Sequence, residues 1–115
     1  MIQLINDCKE KEKYLQQYGV IAADSKLIQC NGTIVGMIDY TEYKDSVKIY
    51  YITIENKYRR QGIAKQVIDL IGNNNQGKYI YGDAVPDALK FWSSMGAEFD
   101  EDPDEDYLTP FHILY

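Results

Sequence analysis

Residues 49–71 read IYYITIENKYRRQGIAKQVIDLI. The run from Ile49 to Ile54 is β-branched and aromatic, the composition of a strand. After a polar turn, Gly62 opens an amphipathic run in which Ile63, Val67 and Ile71 recur every four residues, with Ala64 and Ile68 beside them. The apolar period therefore switches from strand to helix. Between the two lie Arg59, Arg60, Gln61 and Gly62, which gather cationic side chains and backbone amides where the helix begins. The first turn of a helix has N–H groups without intrahelical acceptors and the positive end of the macrodipole. That combination suits an anion, phosphate above all. Gly62 has no Cβ to hold such a group off the backbone. A plain strand–turn–helix with solvated arginines fits the same spacing.

The chain has 115 residues, the size of one domain with a single core. Its hydrophobic share of 45% is that of an ordinary globular chain. No apolar run approaches the roughly 18–20 residues that a membrane span needs. In MIQLINDCKEKEK the charges follow a short apolar stretch, the reverse of a secretory signal. Cys8 and Cys30 fit no metal or redox spacing, which points to free thiols in a reducing cytoplasm.

The net charge is −6, and the excess is local. Seven of the 18 acids are Glu98, Asp100, Glu101, Asp102, Asp104, Glu105 and Asp106, which leaves 11 acids against 12 bases elsewhere. Nucleic acid demands a broad basic face, and the cluster at residues 59–65 is too small to supply one. The 11 tyrosines read as sheet surface and core, not as a stacking platform for bases.

Taken in order, residues 1–5 suit an edge strand, and Asp7 can cap a helix over 9–18 that stops at Gly19. Alternating charges from Lys9 to Lys13 mark a solvated helix face. Residues 20–24 form a connection. Asn31-Gly32 joins strands at 26–30 and 33–40 into a hairpin, because both turn residues tolerate positive φ. Residues 41–45 turn the chain again into a strand at 47–54. After the helix, GNNNQG at 72–77 has loop composition, and 78–84 is a strand. Pro86 opens a short helix with Ala88, Phe91, Trp92 and Met95 on its apolar side, ending at Gly96. Strands at 97–99 and 109–115 flank the acidic segment. The order β-α-β-β-β-α-β-α-β-β is that of an α/β chain with a mixed sheet.

Arg59-Arg60-Gln61-Gly62-Ile63-Ala64 resembles the Arg/Gln-x-x-Gly-x-Gly/Ala signature of the GNAT superfamily of acyl-CoA-dependent N-acetyltransferases. The segment from Ala88 to Ala97, ALKFWSSMGA, is similar to that family's Ala-x-x-Phe-Tyr-x-x-x-Gly-Phe helix. The likeness is good over residues 26–99 and weaker before them, where the usual region between the first strand and the hairpin is short. Two departures stand out: Trp92 replaces the usual tyrosine, and Val85 the frequent asparagine. The resemblance implies one GNAT-like domain over 1–115, an α+β fold with a mixed, mostly antiparallel central sheet flanked by helices. It also implies an acetyl-CoA-dependent N-acetyltransferase acting on a primary amine. A GNAT-fold module that binds acyl-CoA or a partner without turnover is the alternative. No Walker pattern follows Gly62, which disfavours an unrelated phosphate-binding fold.

What the resemblance implies for the site follows residue by residue. Amides of Gln61, Gly62, Ile63, Ala64 and Lys65, with Arg59 and Arg60, would hold the pyrophosphate of acetyl-CoA. Ile52 and Ile54 would pair with its pantetheine arm, and Trp92 would close the pocket by packing. The usual base positions on the fourth strand hold Lys48 and Tyr50, neither a ready base near neutral pH. Asp83 is then the candidate base and Tyr50 the candidate acid; the plainer roles are a cap for Asp83 and packing for Tyr50. His112, alone in an apolar run, reads as structural. The acidic segment points to a cationic acceptor, small or peptide-borne, with free solvation as the plain alternative. No metal, nucleic acid or membrane partner is expected, and a homodimer is left open.

Overall fold

Strand β4, Ser46–Ile54, is the axis of the fold in the computed structural model, which describes residues 1–18, 25–104 and 106–115. The expected helix stop at Gly19, the connection 20–24 and the acid Glu105 lie outside the described residues. The strands are β1 (Ile2–Ile5), β2 (Lys26–Cys30), β3 (Thr33–Glu42), β4, β5 (Tyr79–Ala84), β6 (Glu98–Phe99) and β7 (Thr109–Leu114). Helices α1 (Cys8–Tyr18), α2 (Ile63–Asn73) and α3 (Leu89–Ser94) complete the expected element order. The sheet runs β1-β2-β3-β4-β5-β7-β6, with β4 and β5 parallel across the α2 connection. It is mostly antiparallel. The chain divides into two compact units, residues 1–40 with 51–68, and 41–50 with 69–115.

In the first unit, β1 pairs antiparallel with β2 at the sheet edge. The β2–β3 hairpin turns at Asn31 (φ 51°) and Gly32 (φ 85°), as its dipeptide requires. Asp7 caps α1, its Oδ1 accepting from the amides of Lys9 (2.9 Å) and Glu10 (3.0 Å). Tyr14 of α1 is buried with Leu27 and Met37, and Ile5, Ile34 and Tyr51 pack around them. Burial raises the Tyr14 phenol above its ordinary value, with Glu55 and Tyr51 adding to the effect. Ser25, fully buried, bonds the Tyr51 hydroxyl (2.8 Å), which in turn donates to Met37 Sδ (3.4 Å).

A bulge gives β3 its bend. The register with β2 slips between Ile28 (opposite Gly36) and Gln29 (opposite Ile34), leaving Val35 as the extra residue. Its carbonyl accepts the Glu55 amide (2.8 Å) just beyond β4. One residue on, a Cβ at Gly36 would collide with the Thr53 carbonyl. Only glycine fits where β3 and β4 approach this closely.

The second unit alternates cleanly. Val47 and Ile49 of β4, Ile80, Gly82 and Ala84 of β5, and Thr109, Phe111 and Ile113 of β7 are buried. Trp92 of α3 stacks on Phe111, centroids 4.0 Å apart, and meets Phe91 edge-on at 4.9 Å. A 3-10 turn at Pro86–Ala88 leads into α3.

The 72–77 loop is shorter than its composition suggests, because α2 continues to Asn73. The Tyr115 ring lies against Gly72, where any Cβ would collide, and its hydroxyl donates to Asp69 Oδ1 (2.8 Å). Burial, with Asp69 second, holds that phenol far above its ordinary range. Asn75, buried, donates to the Ile71 carbonyl (2.8 Å) and accepts from Lys78 Nζ (3.0 Å), closing the helix end. Glycine at 72 is thus explained by contact, not by a turn.

Gly36→Ala should lower stability by about 1–3 kcal/mol, the usual cost of forcing an atom into a filled space. Urea unfolding measures it; an unchanged midpoint would refute the close approach to Thr53.

Candidate active site

The turn after β4 is built from short local bonds. A 3-10 turn at Asn56–Tyr58 begins as the Tyr58 amide bonds the Glu55 carbonyl (2.9 Å), and the Arg59 amide then bonds Asn56 (3.2 Å). Arg59 is extended, Arg60 has φ 65° and Gly62 φ 74°. Two left-handed residues, Arg60 and Gly62, thus turn the chain just before the helix-start amides. A left-handed conformation at a non-glycine residue costs about 1–2 kcal/mol, and such strain concentrates at functional sites.

The first bond of the α2 ladder is from the Gln66 amide to the Gly62 carbonyl (3.1 Å). The Ile63 and Ala64 amides come before it and have no intrahelical acceptor. The helix is pinned from its other side, where Ile63, Val67 and Ile68 are buried. Arg60, Gln61, Gly62 and Lys65 are exposed. Apart from Gly62 and its two chain neighbours, no protein atom lies within 4 Å of the place that a Gly62 Cβ would occupy. Arg59 is exposed yet anchored, its Nε donating to the Ile54 carbonyl (2.8 Å). The turn therefore joins a fixed guanidinium, a second arginine and helix-start amides in one segment. It suits a phosphate.

Strand β4 pairs with β5 over Ser46–Ile49 and Tyr79–Gly82, and then runs on to Ile54. Ile52 is half-buried and Ile54 buried on this continuing stretch. The other expected site residues lie in the second unit. Tyr50, the candidate acid, is 47% exposed, which rules out its plainer role as a buried packing residue. The β4 alternation turns it away from Val47 and Ile49. Its hydroxyl is 3.4 Å from that of Tyr43, and Lys48 Nζ sits 5.0 Å from its ring centroid. The hydrogen bond to Tyr50, followed by that residue's charge, raises the Tyr43 phenol above its ordinary value.

Asp83 is exposed near the end of β5, opposite Pro110. The following 3-10 turn has Val85 at its N-cap and no side-chain cap bond, so Asp83 does not cap it. Trp92 is sealed in the core at 4% exposure.

Sequence reasoning missed the surroundings of His112. Its Nδ1 lies 2.7 Å from Asp100 Oδ1 and its Nε2 3.4 Å from Glu98 Oε2, with Tyr79 edge-on at 5.6 Å. The antiparallel β6–β7 register, Glu98 opposite His112, creates this contact. The acidic segment is also tied by its backbone: the Asp104 amide donates to Thr109 Oγ1 (3.2 Å), and the Asp106 amide to Asp104 Oδ1 (2.8 Å). Among the described residues no helix is long and apolar enough to cross a membrane.

The family model described as Acetyltransferase (GNAT) domain matches residues 4–110. No curated protein matches the sequence. Among solved structures, Ard1 from Thermoplasma volcanium is similar at TM-score 0.72 and 13% identity, over 98% of this chain and 95% of that one. Arabidopsis thaliana Naa50, in complex with the bisubstrate analogue CoA-Ac-MVNAL, is similar at TM-score 0.69 and 17% identity, over 99% of both chains. Diaminobutyrate acetyltransferase EctA from Paenibacillus lautus, with L-2,4-diaminobutyric acid and coenzyme A, reaches TM-score 0.64 at 15% identity, over 98% and 93%. At such identities the likeness is one of fold. The match over residues 4–110 carries the assignment: the chain belongs to the GNAT acetyltransferase family.

Proposed function

We propose that residues 1–115 act as one N-acetyltransferase domain, moving an acetyl group from acetyl-CoA to a primary amine that attacks the thioester directly. The single observation that carries this reading is the turn at the start of α2, with positive φ at Arg60 and Gly62 and open space beside Gly62. Two fold neighbours with CoA or a CoA analogue bound support the use of acyl-CoA.

Acetyl-CoA supplies an acyl group already activated as a thioester. Arg59 and Arg60, with the amides of Gln61, Gly62, Ile63, Ala64 and Lys65, hold its pyrophosphate. The backbone at Ile52 and Ile54 accepts its extended arm as an added strand, and an N–H at or near Ile52 polarises the acyl carbonyl. Asp83 takes the ammonium proton, directly or through water, and Tyr50 is the candidate acid. Trp92 supports the site by packing alone. The acceptor is a cationic amine, either polyamine-like or borne on a peptide, drawn in by the acidic segment. The diaminobutyric acid and peptide-bearing analogue of the neighbours support an amine acceptor of either size. A binding module without turnover is the second reading, and the sealed Trp92 in place of a tyrosine favours it.

Gly62→Val, whose side chain is strained at φ 74° and fills the open space, should weaken CoA binding at least tenfold, about 1.4 kcal/mol. Calorimetry on the folded variant decides; unchanged affinity would remove the phosphate from this turn. Asp83→Asn should lower the rate of thiol release with an amine at neutral pH while leaving acyl-CoA affinity in place. Equal rates for the wild type and Asp83→Asn would eliminate Asp83 as the base. Neutralising Glu101 and Asp102 together should raise KM for a cationic amine at low salt and less at high salt. A KM that stays put in low salt makes the segment a bystander.

A further inference from the structure

The β4–β5–β7–β6 part of the sheet has one covered face and one open face. Phe111, Ile80 and Val47 point to the covered side, where Trp92 packs. On the open side the register sets Lys48, Tyr81, His112 and Glu98 opposite one another in a single cross-strand row. A cation stands at one end of this row, a carboxylate at the other and two aromatic rings between. In the next row Tyr79 is opposite Leu114, and both are exposed, at 49% and 61%. Exposed aromatic and apolar side chains in one patch mark an association surface, and tyrosine is enriched at such surfaces.

The order of charge along the row selects the occupant. We infer that this face is where two copies of the chain associate, related by a two-fold axis running along the strands between β5 and β7. That rotation reverses the row. Lys48 of each copy then faces Glu98 of the other, Tyr81 faces His112, and Tyr79 faces Leu114. A two-fold across the strands would instead set Lys48 on Lys48 and Glu98 on Glu98, and like charges forbid it. Facing sheets pack about 10 Å apart with their strands within about 30° of each other, a gap that one lysine and one glutamate side chain together span. Glu98 is placed for this, its side chain being 82% exposed even while it contacts His112.

The size of the face sets the strength. Three strands about 4.8 Å apart and about five residues long, with the two-residue β6 beside them, present roughly 270 Å² of sheet. A permanent interface buries about 800 Å² on each partner, so this dimer is transient and salt-sensitive. The inference rests on the register and not on the proposed reaction, but Asp83 and Tyr50 adjoin the row on the same face, so the dimer and an amine acceptor compete for it.

Sedimentation equilibrium at low salt, from about 10 μM to 1 mM protein, brackets the affinity expected of so small an interface. Wild-type protein should move from one chain towards two, and added salt should reverse the shift. Lys48→Glu and Glu98→Lys should each weaken self-association at least tenfold, because each leaves two like charges across the axis. Mixing the two variants should produce a heterodimer tighter than either alone, and the double reversal should restore the wild-type constant. Should a reversal fail to fold by circular dichroism, Lys48→Gln and Glu98→Gln test the same contact and should each weaken the dimer severalfold. A monomer throughout the range, a dimer that no substitution weakens, or a mixture no tighter than its components would overturn the assignment.

Discussion

The approach of β3 to β4 at Gly36 is the constraint from which the candidate site follows. With no Cβ there, the Thr53 carbonyl can lie directly against the β3 backbone. The bulged Val35 then has its carbonyl on the Glu55 amide, which fixes where β4 ends. From that end the Ile54 carbonyl reaches Arg59 Nε, and the chain enters its left-handed residues at Arg60 and Gly62. Each step rests on the last, because a polar backbone group taken from water must find a partner. The arginine turn is therefore held mainly by main-chain contacts. The Arg59 side chain carries one of these bonds, whereas the Arg60 and Gln61 side chains carry none of them.

The second unit is organised by side chains. Tyr115 illustrates this: one ring covers Gly72, its hydroxyl holds Asp69, and its backbone bonds Gly77 and Lys78. These contacts extend α2 through a stretch whose composition is that of a loop. Trp92 on Phe111 does the same for α3, a helix of only six residues that propensity alone would not sustain. His112 brings Glu98 and Asp100 onto β7, so two carboxylates of the acidic segment are structural as well as electrostatic.

The legible features were those written in local pattern. The Asn31-Gly32 hairpin, the Asp7 cap, the period switch across Gly62 and the complete element order all depend on neighbours within about one turn or one strand. The illegible ones depend on distant partners. Gly72 belongs to α2 because Tyr115, 43 residues on, lies over it. Tyr50 is exposed because its register puts Val47 and Ile49 on the buried face, and nothing in the run IYYITI says which face that is. The His112 contacts needed the β6–β7 register, and β6 has just two residues. Of the site, the arginine turn was legible as a motif, while its strain at Arg60 was not, since no propensity places arginine at positive φ.

Under the proposed reaction, the replacement of a tyrosine by Trp92 need not stop turnover. A tryptophan has no proton to give, and at this position its ring is committed to Phe111. The leaving group, however, is a thiolate whose conjugate acid has a pKa of about 8.5, against about 10 for a phenol. Proton transfer from a phenol to that thiolate is uphill. A dedicated phenolic acid would thus add little to departure of the thiolate near neutral pH, where water can protonate it later. The demands that remain are to hold the thioester and to present a neutral amine. Under the proposal the first falls on backbone amides, at Ile52 for the acyl group and in the arginine turn for the pyrophosphate, and neither set is lost when a tyrosine gives way to Trp92.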